Sequence, residues 1–90
     1  MTEIRLVPWF ADAMAERLDA NSHKHGWRDM TPRRLLRRLR QELGELARAL
    51  ARDPVDATTV TREAADVANF AAMIADVVRE AEPDAAAERE

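Results

Sequence analysis

Cysteine is absent from this 90-residue chain, which excludes disulfides and thiolate metal sites. Its absence agrees with a reducing compartment, and a cytoplasmic location is the expectation. Glycine is scarce too, at two residues, whereas alanine, leucine and arginine abound, so an all-α fold is expected. No apolar run is long enough for a signal peptide or a membrane span, and the first stretch is broken by Glu3, Arg5, Asp12 and Glu16. No membrane partner is therefore expected. A basic excess is also missing. Fourteen lysines and arginines stand against 17 acids, a formal charge of -3, which argues against a dedicated nucleic-acid partner. The two histidines, His23 and His25, lack metal-ligand partners at a recognisable spacing and are expected in solvent. With no internal repeat or low-complexity linker, residues 1–90 read as a single domain.

What is present is acidic and paired. Glu42-Leu43-Gly44-Glu45 and Glu63-Ala64-Ala65-Asp66 each carry carboxylates three residues apart, on one face of a helix. Asp53-Pro54-Val55-Asp56 between them is a turn signal, so the two stretches form an antiparallel helix hairpin. At about 1.5 Å per residue, Glu45 and Glu63 both lie about 9 Å from the turn, and Glu42 and Asp66 both about 13 Å. Four carboxylates at matched heights need a compensating charge. A hard divalent cation supplies one and takes oxygen ligands. The faces agree with this. Val67, Phe70, Met73, Ile74, Val77 and Val78 form an apolar stripe with Glu63 in its middle and Asp66 on its edge. Leu35, Leu36, Leu39, Leu43, Leu46 and Leu50 form the facing stripe, with Glu42 on its border and Glu45 one step further round.

In chain order, residues 1–6 form a lead. Leu6, Val7, Phe10, Met14 and Leu18 then recur at helical spacing, which predicts a first helix at about 7–20 with Pro8 in its first turn. Residues 21–29 are polar, contain Gly26 and lack a period, so they read as a loop. Trp27 in that loop fits two roles. It can plug the open end of the helix layer. It can also stack on a planar ligand, with Lys24 offering positive charge to a phosphate. Thr31-Pro32 opens the second helix as N-cap and first helical residue, and the helix runs to about Arg52. Arg33, Arg34, Arg37, Arg38 and Arg40 lie mostly opposite the leucines, as a solvated face does; Arg38, one turn before Glu42, is placed to pair with the acids or to reach a phosphate. Asp56 caps a third helix that runs to about Glu82, its start open to slippage toward Thr61 because Thr58, Thr59, Val60 and Thr61 are poor helix formers. Asn69 extends the polar edge of Asp66. Residues 82–90 read as a frayed tail.

These residues resemble a family. The pair Glu42-x-x-Glu45 and Glu63-x-x-Asp66 is similar to the ExxE and ExxD signature of the MazG-like all-α nucleoside triphosphate pyrophosphohydrolases. These are related to dimeric dUTPases, dCTP pyrophosphatases and phosphoribosyl-ATP pyrophosphohydrolases. The segment from Ala65 to Asp76 resembles the ADVANF-type run of short members, and Asn21-x-x-Lys24-x-x-Trp27 resembles the loop before their metal-binding helix. The likeness covers about residues 7–80. It implies that Glu42, Glu45, Glu63 and Asp66 hold Mg2+, or Mn2+, and are the catalytic acids. It implies substrate roles for Asn21, Lys24, Trp27 and Asn69, to which the residues themselves add Arg38. The implied activity is hydrolysis of nucleoside triphosphates to monophosphate and pyrophosphate. Two departures stand out: Gln41 occupies a position where many members carry a further glutamate, and the chain after Ala81 is short for the family's fourth helix.

Three helices in a chain this short leave apolar surface to cover. Val60, Ala64, Val67, Ala71, Ile74 and Val78 give the third helix a broad apolar arc, which predicts a homodimer or homotetramer helical bundle. The alternative from another functional class is a non-catalytic helical dimerisation module whose acids are surface charge. A weaker third is an RNA-associated helix using the arginines.

Overall fold

Capping decides where two of the three long helices begin. In the computed structural model, which describes residues 3–20 and 26–82, Thr31 Oγ1 accepts from Arg34 N at 3.2 Å, and helix α2 spans Pro32–Ala51. Asp56 accepts from Thr59 N at 3.1 Å, and α3 spans Ala57–Glu80. The cap outweighs the poor propensity of Thr58–Thr61, so the start does not slip to Thr61. The first helix, α1, spans Glu3–Ala20 and so begins before the expected residue 7. Residues 3–6 are helix rather than lead, and Pro8 lies inside the helix instead of in its first turn. Pro8 lacks an N–H for the preceding turn, a defect tolerable this close to a helix end. Gly26, at φ 111, turns the chain through the left-handed region open to glycine and leads into a short 3-10 turn at Trp27–Asp29.

The described residues are helical apart from residue 26, the short links at 30–31 and 52–56, and the end at 81–82. The five residues from Arg52 to Asp56 connect α2 to α3 as an antiparallel hairpin. Helix α3 is the common partner, packing along α2 on one side and α1 on the other. Leu35 and Ala65 are wholly buried, and Ala49 and Asn69 nearly so. Such a small core follows from the composition of α3: alanines at 64, 65 and 68 let helices approach closely but bury little area each.

Because α3 is covered from two sides, most of its apolar arc is half-buried, with Ala71 and Val78 the exposed members. The open apolar seam lies on α2 instead. Leu36, Leu43 and Leu50 repeat every seven residues and are 40%, 47% and 56% exposed. The arginines Arg33, Arg34, Arg37, Arg38 and Arg40 are all exposed, as a solvated face requires. No helix is long and apolar enough to cross a membrane among the described residues.

Candidate functional site

The hairpin brings three of the four expected acids together. Glu42 from α2, and Glu63 and Asp66 from α3, offer carboxylate oxygens that all lie within 4.8 Å of one another, each residue half-buried. Glu45 stands outside this group. One step further round α2 it is exposed, and its carboxylate accepts from Arg48 at 2.6 Å. Its charge is nevertheless felt by both Glu42 and Glu63, which puts it at the edge of the cluster.

Burial is the first cause that pushes the Glu42 and Glu63 carboxyls above their ordinary range, and the charge of Asp66 is the second. Arg38 works against the rise at Glu42, and Arg17 and Arg48 work against it at Glu63. Carboxyls raised in the folded chain cost stability once ionised. The cost is absent below the ordinary glutamate range and grows as pH rises through the folded values. Glu63→Gln, melted without divalent cations, is accordingly expected to raise Tm at pH 7. The gain should vanish below about pH 4. Circular-dichroism melts in EDTA at the two pH values measure it, and an equal gain at both would rule out the electrostatic origin.

Arginine 17 of α1 is the residue that sequence reasoning missed. Its Nε and Nη2 donate to the two carboxylate oxygens of Asp66 at 3.0 and 3.1 Å. The pair is largely shielded, with Asp66 side-chain exposure at 14%. Arg17 is thus the resident counter-charge of the cluster. Each carboxylate oxygen has a second lone pair, so this fork does not exhaust Asp66 as a ligand. A signal was available: Arg17 falls between Met14 and Leu18 on the apolar face of α1, where an unpaired cation is not expected.

The other expected site residues are placed differently. Asn69 is buried, and its Nδ2 donates to the Met14 carbonyl at 3.1 Å, tying α1 to α3 one turn beyond Asp66. Its Oδ1 finds no partner among the described residues. Arg38 lays its guanidinium over the Phe70 ring, 5.4 Å from the centroid, while its charge acts on Glu42. Trp27 is half-buried, its 3-10 turn packed on α3, with Arg28 over the indole at 4.5 Å and reaching Asp76 at 3.8 Å. Asp76 lies ten residues beyond Asp66, about 15 Å along the helix. Within one chain Trp27 therefore packs as a plug at the far end of α3. Asn21 and Lys24, with His23 and His25, lie outside the described residues, as does the tail from residue 83.

The cluster can hold a hard cation with oxygen donors, or bind the guanidinium it already has. No protein-family model, no curated protein and no solved structure matches the chain, so the residues of the site carry the functional reading by themselves.

Proposed function

We propose that this chain is a divalent-cation-dependent nucleoside triphosphate pyrophosphohydrolase of the MazG-like kind. The observation that carries the reading is the trio Glu42, Glu63 and Asp66 on two facing helices. The donor set is all oxygen and acidic, which suits Mg2+ or Mn2+ and not a soft metal. Glu42, Glu63 and Asp66 would hold the ion, each offering a carboxylate oxygen within 4.8 Å of the other two. Glu45 joins by turning away from Arg48. When bound, the ion supplies charge stabilisation at the phosphoryl oxygens and a water of lowered pKa.

The chain's own residues do the rest. Arg17 holds the Asp66 carboxylate in one orientation. Arg38 and Arg48 flank the acids and offer positive charge to the polyphosphate. Water attacks the α-phosphorus through its oxygen. The bond from that phosphorus to the bridging oxygen breaks, and its electron pair leaves with pyrophosphate. The released proton passes to a carboxylate of the acidic cluster.

Assembly is part of the proposal. Leu36, Leu43 and Leu50 form an exposed seven-residue repeat, the spacing by which helices pair. A symmetric contact between two copies of α2 would cover it, giving a dimer or a dimer of dimers. The same seam favours the second reading, a helical assembly module without catalysis. Pyrophosphate release from a panel of ribo- and deoxynucleoside triphosphates, with and without Mg2+, separates the two. Mg2+-dependent release from at least one of them is expected; no release from any leaves the assembly module.

A further inference from the structure

We propose that the cleft between α1 and the first turns of α3 is a nucleotide site in which the base stacks on Trp9. The inference rests on the nucleotide chemistry proposed above and assigns it a place. The cleft has a volume of about 320 Å³, within the range of small-ligand pockets. Trp9, Glu16 and Arg17 line it from α1, and Thr58, Thr61 and Arg62 from α3. Neither acid pair nor the Trp27 loop contributes to its lining.

Four properties of these residues select the ligand. Trp9 is half exposed, at 49%, and leans on Phe10 with ring centroids 6.0 Å apart, so its indole is braced while much of it stays open. An exposed braced indole takes a flat ring. Arg62 supplies a guanidinium fork that suits phosphate oxygens, and Arg17, whose Nε and Nη2 are held by Asp66, adds positive charge beside it. The hydroxyls of Thr58 and Thr61 and the carboxylate of Glu16 offer partners for sugar hydroxyls or a base amino group. Finally, Arg17 both lines the cleft and grips Asp66, so the phosphate end of a ligand there lies beside the three carboxylates. From Trp9 to Arg17 is eight residues, about 12 Å along α1. A ring at one end, phosphate at the other and an acidic cation site beyond it describe a nucleoside polyphosphate. The ring platform in this arrangement is Trp9, while Trp27 packs elsewhere on α3.

The chain holds two tryptophans, so Trp27→Phe leaves Trp9 as the sole indole reporter. This variant is titrated with the standard nucleoside triphosphates and, separately, with ribose 5-phosphate, in EDTA and again in Mg2+. Saturable quenching of Trp9 by one or more nucleotides, with none from ribose 5-phosphate, is expected. Calorimetry on Trp9→Ala should show binding weakened by roughly tenfold to a hundredfold, with Trp9→Phe restoring most of it because a ring remains. Arg62→Gln should weaken triphosphates more than nucleosides. Absence of quenching under both conditions overturns the proposal. So does unchanged nucleotide affinity in Trp9→Ala, or a Trp9 emission that responds to dilution and not to nucleotide, which would mean that a second copy covers the indole. The two readings fail separately. Trp9-dependent binding without pyrophosphate release keeps the cleft and removes the hydrolase; release with an unaltered KM in Trp9→Ala does the reverse.

Discussion

Glu63→Gln and Asp66→Asn are each expected to lower the rate of pyrophosphate release at least about a hundredfold while the helical fold survives. A hundredfold corresponds to about 2.7 kcal/mol of transition-state stabilisation, a modest demand on a ligand that carries a formal charge. Both substitutions keep the volume of the side chain, remove its charge and replace one acceptor oxygen by an amide donor. Glu63→Gln removes one carboxylate from a half-buried trio, so its fold should gain stability even as its activity is lost. That combination, higher Tm with lower turnover, separates a functional acid from a structural one. Asp66→Asn differs because Arg17 loses its charged partner, and some stability should go with the activity. Glu42→Gln belongs with Glu63 by position. Glu45→Gln is expected to cost clearly less than Glu63→Gln, since Glu45 stands outside the trio and is held by Arg48. Steady-state assays at saturating Mg2+, alongside circular-dichroism melts, measure both quantities. Near wild-type turnover in Glu63→Gln and Asp66→Asn together would end the metal-site reading.

The second large effect is on assembly. Leu43→Glu is expected to convert a dimer or larger species at micromolar concentration into one near the 10.2 kDa chain mass, with helical content retained. Leu43 is the middle residue of the exposed Leu36–Leu43–Leu50 seam, so a charge there falls at the centre of the contact. Burying an unpaired carboxylate costs far more than burying a leucine gains. The monomer tolerates the change because Leu43 is already 47% exposed in it. Sedimentation or light scattering on wild type and variant gives the answer directly. A wild-type chain that is already monomeric at that concentration would remove the self-association proposal, whatever the variant does.

Much of the architecture was legible without coordinates because it is local. Thr31 and Asp56 cap their helices through bonds to residues three further on, and such bonds are encoded by neighbours in sequence. The solvated arginine face of α2 and the placing of Glu42, Glu63 and Asp66 toward a shared face follow from helical period alone. Local spacing with Pro8 in the first turn predicts a start near residue 7 for α1, whereas the helix extends back to Glu3.

Residue spacing by itself determined that the chain is helical, where α2 begins, and that Glu42 faces Glu63 and Asp66 across a hairpin. The tertiary structure alone decided which three of the four acids meet, and that Arg17, 49 residues from Asp66, provides their counter-charge. It also decided that Asn69 ties α3 to the Met14 carbonyl and that Trp9, not Trp27, borders the cleft. The physical reason is one of range. Periodicity and capping act within about four residues, whereas the rotation and register of one helix against another are set by how alanines and leucines interlock along the whole contact. A single step round α2 is enough to hand Glu45 to Arg48 and leave Glu42 with the acids of α3.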